Sequence, residues 1–346
     1  MKTDPLPPRG GLDECVVIAH GGGGELTRRL IAEHILPKLG NALLAPLMDS
    51  AVLPTALGRI AFTTDAFVVQ PLVFPGGDIG RLAVCGTVND LAVMGAVPQA
   101  LSLAMVLEEG LPIAMIDRVV SSIAAAAAEA GVVIATGDTK VVERRRGDGM
   151  IVTTAGIGVM REGMVLSPQR IAPGDAIILT GRIADHGLAV MSAREGLAFE
   201  TELLSDVAPL AGLVDAMLRP GADVKFMRDP TRGGLAGVVA DLAEETGLSI
   251  ELSEAAIPLS RVARHTAELL GLDPLMVANE GKCVAVVPAA DAGRVVAACR
   301  EHELGREAAV VGRFIEASPP LVELITRSGG RRIVQRPYGE ELPRIC

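Results

Sequence analysis

Aromatic residues are nearly absent from this chain, whose 346 residues include six Phe, one Tyr and no Trp. The core must therefore be built from Ala, Val, Ile, Leu and Met. So few rings provide no platforms on which bases could stack, and a net charge of −10 repels a phosphate backbone. The composition argues against a nucleic-acid-binding protein and against a carbohydrate site lined with aromatic rings.

Paired cysteines, a secretory leader and a membrane-spanning run are also missing. The five cysteines include no CxxC pair and are odd in number, which argues against a cysteine-rich zinc site and a disulfide framework. The N-terminus has no apolar segment of the kind found in signal peptides, and the longest apolar stretch, 119–135, is interrupted by Ser, Glu and Gly. We therefore expect a cytoplasmic protein that does not bind membranes.

Predicted strands and helices alternate along the whole chain, which is typical of a mixed α/β or α+β protein with two layers. A turn-rich stretch at 161–175 divides the chain, so we expect one domain over 1–165 and a second over 166–326. The last twenty residues contain five Arg and little apolar periodicity. This composition predicts a mobile, solvated tail over 327–346.

A run of four glycines lies between a predicted strand at 14–19 and a predicted helix that begins at Glu25. Backbone N–H groups at such a loop, next to a helix N-terminus, can bind an anion. The loop matches neither the Walker A pattern nor GxGxxG, and a tight turn that needs positive φ is the alternative. Because four glycines exceed what a turn requires, we predict phosphate contacts at Gly21, Gly22, Gly23 and Gly24.

Four aspartates lie beside Gly, Thr or Pro in turn-like segments and not in charged runs. Mg²⁺ prefers carboxylate oxygens and commonly bridges to the phosphates of a substrate. Any one of these residues could be only a helix cap or an Asx-turn. Taken with the glycine loop, the set predicts a metal–nucleotide site formed by Asp65, Asp90, Asp138 and Asp229.

Three further turns carry candidate polar residues. In the DPTRGG turn, Arg232 offers a guanidinium fork for phosphate, and a helix cap with a solvent-facing Arg is the alternative. Lys140 and Glu280 lie in Gly-flanked turns after apolar segments, where loops often carry function, although each could be an ordinary solvated side chain. The nucleotide-binding candidates in these turns are Thr139, Thr231, Arg232 and Gly233.

Cys346 is the last residue of the chain. A thiol at the end of a tail is accessible, and the nearby Arg336 and Arg344 favour the nucleophilic thiolate. An accidental terminal residue is one alternative. Prenylation is another, but it requires a cysteine four residues from the end, where this chain has Pro343.

Together these segments resemble the aminoimidazole-ribonucleotide-synthetase superfamily, which also contains selenophosphate synthetase and thiamine-monophosphate kinase. Within it, AHGGGG, DLAVMGAVP, GDTKVV, DHGLAVMSAREGL, MRDPTRGGLA and the terminal PRIC are similar to the HypE family of hydrogenase maturation proteins. These segments run from residue 19 to residue 346, so the resemblance covers nearly the whole chain. The terminal PRIC is its most specific part.

The resemblance implies a two-domain PurM-like fold. In this fold the N-terminal domains pair as a homodimer across a β-barrel-like sheet, the C-terminal domain is an α/β sandwich, and ATP binds between the domains. It also implies an activity. A HypF-like partner carbamoylates the C-terminal cysteine, ATP drives dehydration of the S-carboxamide to a thiocyanate, and the cyano group passes to iron held by a HypC–HypD complex.

The resemblance further implies a role for each candidate residue. Cys346 carries the carbamoyl group, and either Glu280 or Lys140 takes a proton while the other orients the carboxamide. The aspartates hold Mg²⁺ and the phosphates of ATP, and the glycine loop and the DPTRGG turn cover those phosphates. Two other functions stay open from the residues alone: a kinase or synthetase acting on a free small molecule, and a nucleotide-gated carrier. All five histidines, His186 among them, are expected to be structural or surface residues.

Overall fold

The structure is a computed structural model that describes residues 24–39, 41, 45–55, 58–196, 203–339 and 344–346. Within these residues the chain forms a five-stranded sheet from its first half, a seven-stranded sheet from its second half and a short two-stranded pair. Helices pack on both large sheets. The expected mixed α/β fold is confirmed.

The first half builds a sheet that is covered on one face. A five-residue π-helix at 31–35 joins its first two helices. The sheet has the order β1-β2-β7-β5-β6, in which only β5 and β6 are parallel. In chain order the elements are α1 (Glu25–Leu30), α2 (Leu36–Leu39), β1 (Ala51–Thr55), β2 (Gly58–Phe67), β3 (Val73–Phe74), β4 (Gly77–Asp78), α3 (Ile79–Val93), β5 (Ala96–Glu108), α4 (Ile113–Ala130), β6 (Val133–Val142) and β7 (Met150–Met160).

Helix α3 lies directly on this sheet and is almost wholly buried. It begins where the Asp78 carboxylate accepts the N–H groups of Gly80 and Arg81 at 2.9 and 3.0 Å, which satisfies donors that the first turn leaves unpaired. No helix of the described residues packs on the opposite face of the sheet. Phe62 and Val159 are 45% and 50% exposed there, so this half has one finished face and one open face.

The second half builds a sheet that is covered on both faces. Its order is β14-β13-β10-β12-β8-β11-β9, so β13 and β14 pair as sequence neighbours, whereas β8 to β12 all lie next to strands that are not adjacent to them in the chain. In chain order the elements are β8 (Ala176–Leu179), α5 (Asp185–Arg194), α6 (Ala211–Leu218), β9 (Phe226–Arg228), α7 (Gly234–Thr246), β10 (Ser249–Ser253), α8 (Arg261–Leu270), β11 (Val284–Val287), α9 (Ala289–Arg300), β12 (Ala309–Ile315), β13 (Val322–Ile325) and β14 (Arg331–Ile333).

Strands β8 and β11 lie side by side in the interior of this sheet and have no exposed residue. Ile177 and Leu179 belong to one apolar cluster with residues of α7, whereas Ile178 belongs to a second cluster with residues of α6 and α9. Alternate side chains of one strand therefore face different helix layers. This explains why the central strands read as continuous apolar runs and not as alternating ones.

The two halves meet along α3. The Asn89 side-chain amide donates to the carbonyl oxygens of Ala208 and Glu280, both at 3.1 Å, and its oxygen accepts the N–H of Leu210 at 2.7 Å. Asn89 is wholly buried, so all of these bonds are shielded from water. The helix that covers the first sheet thus also fixes a loop of the second half.

The tail, predicted to be mobile and solvated, is docked in the structure over residues 331–339 and 344–346. The N–H groups of Glu25 and Leu26, at the start of α1, donate to the carbonyl oxygens of Pro337 and Tyr338 at 3.0 and 3.2 Å. A Cβ on Gly24 would lie 2.2 Å from the Pro337 oxygen, so only glycine permits this approach. We predicted a solvated tail from its polar composition. Composition does not reveal that the backbone of the tail is hydrogen-bonded to the start of α1.

No helix in the described part of the chain has both the length and the apolar character needed to span a bilayer.

Candidate functional site

Three of the four predicted aspartates converge where the two halves meet. Asp65 lies on β2, Asp90 on α3 and Asp229 directly after β9, so two elements of the first half face one of the second. Asp49, which precedes β1, joins them although the sequence did not single it out. The four carboxyl groups are close enough to influence one another, and the Asp65 and Asp90 side chains are hydrogen-bonded.

Burial raises the pKa of every member of this group, which we call the junction carboxylates (Asp49, Asp65, Asp90 and Asp229). The pKa of Asp229 is raised to about 8, first by burial and then by the charges of Asp49 and Asp65. The pKa of Asp90 is raised well above its ordinary value by burial and by the other three carboxylates. The site therefore has more negative charge than the chain neutralises.

Two arginines offset part of this charge. Arg228 Nε lies 3.3 Å from Asp49 Oδ1, and the positive charge of Arg232 opposes the rise in the pKa of Asp65. Thr63 places its hydroxyl 2.7 Å from Asp90 Oδ2 and 2.9 Å from the carbonyl oxygen of Asp49. Even so, Asp49 Oδ2 is buried without a hydrogen-bond partner among the described residues. A buried acceptor left in this way is costly unless a ligand completes it.

The donor set fits a magnesium ion that arrives with phosphates. Within the described residues no three acidic, His or Cys side chains are close enough to form a complete metal site. Mg²⁺ commonly takes only one or two carboxylates and fills its remaining positions with phosphate oxygens and water. The unpaired Asp49 oxygen and the raised pKa values of Asp65 and Asp90 are consistent with that requirement.

Glu280 lies beside the junction carboxylates and is almost completely buried, at 2% exposure. Its pKa is raised well above the ordinary value by burial and by the charges of Asp229, Asp206 and Asp65, against the opposing charge of Arg232. Its Oε1 has no hydrogen-bond partner among the described residues. A buried carboxyl with a raised pKa and an unpaired oxygen is a candidate general acid or base.

The backbone around Glu280 is fixed from two sides. Asn89 binds its carbonyl oxygen, and the Asp206 carboxylate accepts the N–H groups of Glu280 and Gly281 at 3.1 and 3.3 Å. A Cβ on Gly281 would lie only 1.9 Å from the Asp206 carbonyl oxygen, so this close approach requires glycine. Lys282 Nζ, 3.3 Å from Asp206 Oδ2, completes the arrangement.

Asp138 and Lys140, by contrast, lie on the exposed edge strand β6. Lys140 Nζ is 2.9 Å from Asp138 Oδ2, and both side chains are well over half exposed. The hydrogen bond with Lys140, followed by one from the Thr139 N–H, lowers the pKa of Asp138. This is the opposite of the shift at the junction carboxylates.

The register of the sheet shows how far apart the two sets are. Asp65 is paired with Thr154 on β7, and Thr154 is paired with Leu103 on β5. Leu103 is in turn paired with Gly137 on β6. Paired residues point to the same side of a sheet, so Asp138 points to the side opposite Asp65, about 14 Å away across three strand spacings. The structure does not bring Asp138, Thr139 or Lys140 to the junction within one chain.

The remaining predicted nucleotide contacts fall in two places. Thr231, Arg232 and Gly233 form the turn before α7, directly after the junction carboxylate Asp229. Gly24 caps α1 and contacts the tail. Gly21, Gly22 and Gly23, together with Cys15, lie outside the described residues.

The end of the tail lies at the same junction. The carbonyl oxygen of Arg344 accepts the N–H of Gln70 at 3.1 Å and a guanidinium N–H of Arg194 at 2.7 Å. The Ile345 side chain is 2% exposed and belongs to the apolar cluster that contains Ala278, two residues before Glu280. Cys346 packs at the edge of this cluster and is half-buried.

Cys346 differs from the other described cysteines. Cys85, Cys283 and Cys299 are buried, and burial raises the pKa of Cys85 to about 12 and that of Cys299 to about 11. Their thiols are therefore poor nucleophiles. Among the described residues, Cys346 is the one cysteine that solvent or a partner can reach.

Sequence reasoning missed Asp49, Asn89 and Asp206, and it treated His186 as structural or surface. Asn89 had a visible signal, because a polar amide inside the apolar helix 79–93 needs partners. Asp49 and Asp206 had no such signal in the sequence, since each is an isolated acidic residue in a loop. His186 is fully buried and its Nε2 lies 3.0 Å from the carbonyl oxygen of Ile345, a contact no sequence pattern predicts.

Two family models match the chain. The N-terminal domain of AIR synthase related proteins matches residues 48–160, and the C-terminal domain of the same proteins matches residues 172–321. The carbamoyl dehydratase HypE of Azotobacter vinelandii is 48% identical over 331 residues, which cover 96% of this chain and 97% of that protein.

Solved structures are similar over most of the fold. A crystal structure of a HypE–HypF complex has a TM-score of 0.84 at 44% identity and covers 89% of this chain and 99% of that one. A hydrogenase maturation protein HypE in complex with ATP has a TM-score of 0.81 at 41% identity, covering 94% of this chain and 98% of that one.

Proposed function

The chain belongs to the HypE family of AIR synthase related proteins, the carbamoyl dehydratases, and we propose that it uses ATP to dehydrate an S-carboxamide on Cys346 to a thiocyanate. The observation that supports this most is the docking of the chain's own C-terminus. Ile345 is buried in the apolar cluster that contains Ala278, two residues before Glu280, and Cys346 packs against that cluster. A substrate carried by the protein itself explains why the last residues enter the junction.

The chemistry begins at the oxygen of the carboxamide. That oxygen attacks the γ-phosphorus of ATP, the bond to ADP breaks and one of the two N–H protons is released, so that the carboxamide becomes an O-phosphorylated imidate with one N–H. Loss of the remaining N–H proton then forms the C≡N bond as the C–O bond breaks, and inorganic phosphate leaves. Transfer of this kind depends mainly on positioning and on neutralising charge.

The residues of the junction suit these steps. One or two of the junction carboxylates (Asp49, Asp65, Asp90 and Asp229) would hold Mg²⁺, and Arg232 would contact the phosphates. Mg²⁺ would neutralise the charge that develops on the transferred phosphoryl group. Glu280 is our candidate for the group that accepts the N–H proton, because it is buried, lacks a partner at Oε1 and has a raised pKa.

Lys140, Thr139 and Asp138 enter the proposal through a second copy of the chain. They lie on an exposed edge strand next to an open sheet face that carries Phe62, Ile157 and Val159. Exposed apolar side chains on a sheet face are typical of a surface that another protein covers. We propose that two copies pair through this face as a homodimer, and that each copy supplies these three residues to its partner's site.

The partners of the reaction follow from its chemistry. The carbamoyl group must come from a carbamoyltransferase. A HypF-like protein suits that role because this chain is similar to a chain in the crystal structure of a HypE–HypF complex. The cyano group must then pass to an acceptor, for which we propose iron held by a HypC–HypD complex. The product of this sequence is a cyanide ligand for the iron of [NiFe]-hydrogenase.

Intact-protein mass spectrometry tests the proposal. Wild type, Cys346→Ala and the matched control Cys299→Ala are incubated with HypF-like enzyme, carbamoyl phosphate, ATP and Mg²⁺. We expect the mass of one carbamoyl group to appear and one water to be lost in wild type and in the control, and neither change in Cys346→Ala. Carbamoylation without water loss would favour the carrier, and ATP consumption with no adduct would favour the small-molecule kinase or synthetase.

A further inference from the structure

His186 lies against the end of the tail and both of its ring nitrogens are engaged. Its Nε2 is 3.0 Å from the carbonyl oxygen of Ile345, and its Nδ1 is 2.8 Å from the hydroxyl of Ser205. A carbonyl oxygen can only accept, so Nε2 must carry a proton. Burial lowers the pKa of His186, which favours the neutral ring with that single proton.

Ser205 sets this tautomer. Its Oγ accepts the N–H of Val207 at 3.1 Å, which leaves the hydroxyl proton for Nδ1 of His186. The Phe74 ring meets the imidazole edge-on, at 5.4 Å between centroids and 88° between planes. The imidazole is therefore fixed in both protonation and orientation, with its one N–H aimed at the tail. We call His186 and Ser205 the tail anchor.

The tail anchor is joined directly to the loop of Glu280. Ser205 is followed by Asp206, whose carboxylate accepts the N–H groups of Glu280 and Gly281. Two successive residues thus hold the two groups that must meet, the end of the tail through His186 and Glu280 through its own backbone. The Ser205 N–H also donates to the Pro75 carbonyl at 2.8 Å, which ties the segment to the first half of the chain.

The contact is made one residue before the thiol. The Ile345 side chain is buried and its carbonyl is bound, so the only residue beyond the fixed point is Cys346. Holding the carbonyl of the penultimate residue restricts the positions that a group on the Cys346 sulfur can occupy. The hydrogen bond from His186 does not engage the group on the Cys346 sulfur, so that group remains able to react.

We propose that His186 is a positioning residue of the dehydration: its Ser205-oriented Nε2–H holds the Ile345 carbonyl so that the group on Cys346 is presented to Glu280 and the phosphates. This inference rests on the proposed function, and it adds a residue and a role to it. Because misplacement by about 1 Å can slow a reaction by about 100-fold, loss of this hydrogen bond should lower the rate of dehydration markedly.

The test uses three histidine variants of the full-length protein. His186→Leu keeps a side chain of similar bulk and removes both nitrogens, and His186→Gln restores an N–H donor. The control His265→Leu removes a histidine exposed on α8. In single-turnover dehydration of carbamoylated protein at saturating ATP, we expect His186→Leu to be slower by roughly 10- to 100-fold. His186→Gln should regain part of the rate, and His265→Leu should match wild type.

A second readout separates positioning from folding. Alkylation of Cys346 by iodoacetamide, followed by peptide mass spectrometry without ATP or partner protein, reports how often the tail leaves its anchor. We expect faster alkylation in His186→Leu and in Ser205→Ala, with the dissociation constant for ATP unchanged. Ser205→Ala keeps the imidazole in place, so it tests the anchor even where His186→Leu does not fold.

The inference is overturned by wild-type dehydration in both His186→Leu and Ser205→Ala. It is also overturned where His186→Gln is as slow as His186→Leu and Cys346 alkylation is unchanged, because that pattern indicates a structural histidine. A wild-type protein that never loses water would instead contradict the proposed function. The alkylation rates would still decide whether His186 holds the tail.

Discussion

Two sets of acidic residues that look alike in the sequence occupy opposite environments. The junction carboxylates are buried, repel one another and have raised pKa values, whereas Asp138 on β6 is exposed, paired with Lys140 and has a lowered pKa. Asp65, Asp90 and Asp229 of the buried set and Asp138 of the exposed set all lie in turn-like segments that contain Gly, Thr or Pro. What separates them is the surface beneath each, because α3 and the second half cover one face of the first sheet and nothing in the described chain covers the other.

This contrast separates acidic groups that are paired within the chain from acidic groups that still need another molecule as a partner. A buried, uncompensated charge destabilises a folded protein, so it persists where a ligand neutralises it. An exposed ion pair on an edge strand contributes little to stability. Any larger effect of the Asp138–Lys140 pair must therefore come from a molecule that covers strand β6.

The largest expected effect comes from breaking the buried set. Asp229→Asn should lower ATP-dependent dehydration by roughly 1000-fold, since one electrostatic group at a reacting phosphate contributes about that much. Its unfolding temperature should stay the same or rise, because an amide avoids the cost of burying a carboxyl whose pKa is raised to about 8. Single-turnover assays and calorimetry check this. A variant that is inactive and also markedly destabilised would indicate a structural carboxylate.

A smaller effect tests the exposed set. Lys140→Ala should lower dehydration by roughly 100-fold without changing the unfolding temperature. Mixing Lys140→Ala chains with Asp229→Asn chains should then restore activity. Random pairing of two copies leaves about a quarter of the sites with a wild-type Asp229 from one chain and a wild-type Lys140 from the other.

The mixed sample needs two controls. Each variant alone must stay inactive, and a mixture made without subunit exchange must stay inactive as well. No recovery after exchange, in a sample shown to contain mixed dimers, would mean that Lys140 acts within its own chain.

The smallest effect is a pH dependence of stability in protein free of Mg²⁺ and nucleotide. Asp229 loses its proton near its ordinary pKa of 3.8 when unfolded and at about 8 when folded, so the folded state holds the extra proton between these values. The free energy of unfolding should therefore fall as pH rises from 6 to 8, by at most about 1.4 kcal/mol per pH unit for one proton. Asp229→Asn should show a flatter profile in urea titrations; an unchanged slope would contradict the assignment.

Much of the junction could be predicted from local sequence. The apolar pattern of the sequence predicts a strand at 60–69 and helices at 79–94 and 113–130, and these lie close to β2, α3 and α4. Asp65 and Asp90 were expected to act with Asp229 because each interrupts such a pattern in a turn-like segment. Their convergence follows from elements that local periodicity defines well.

The position of Asp138 could not be predicted in the same way. Side chains alternate along a strand, so a shift of one residue in pairing moves a side chain to the other face. Strand β5 shifts register against β7 between Pro98 and Ala100 and against β6 between Leu101 and Ser102. Such bulges depend on tertiary packing, and sequence reasoning had no means to place them.

The pairing of β9, β12 and β13 could not be predicted either, because each pairs with a strand that is not its neighbour in the chain. The docked tail was missed for a related reason. Several of its contacts are made through the carbonyl oxygens of Pro337, Tyr338 and Ile345, which carry no sequence signature.

The pairing of Pro337 and Tyr338 with the start of α1 also turns the end of the chain into a tether of fixed length. Cys346 lies eight residues beyond Tyr338, so its sulfur stays within about 26–29 Å of that point even when every later contact is released. A reactant confined to such a volume has an effective concentration in the millimolar range, whatever the concentration of the protein. Dilution should therefore leave the dehydration step unchanged as long as the two copies of the chain stay paired, while it weakens every encounter with another partner.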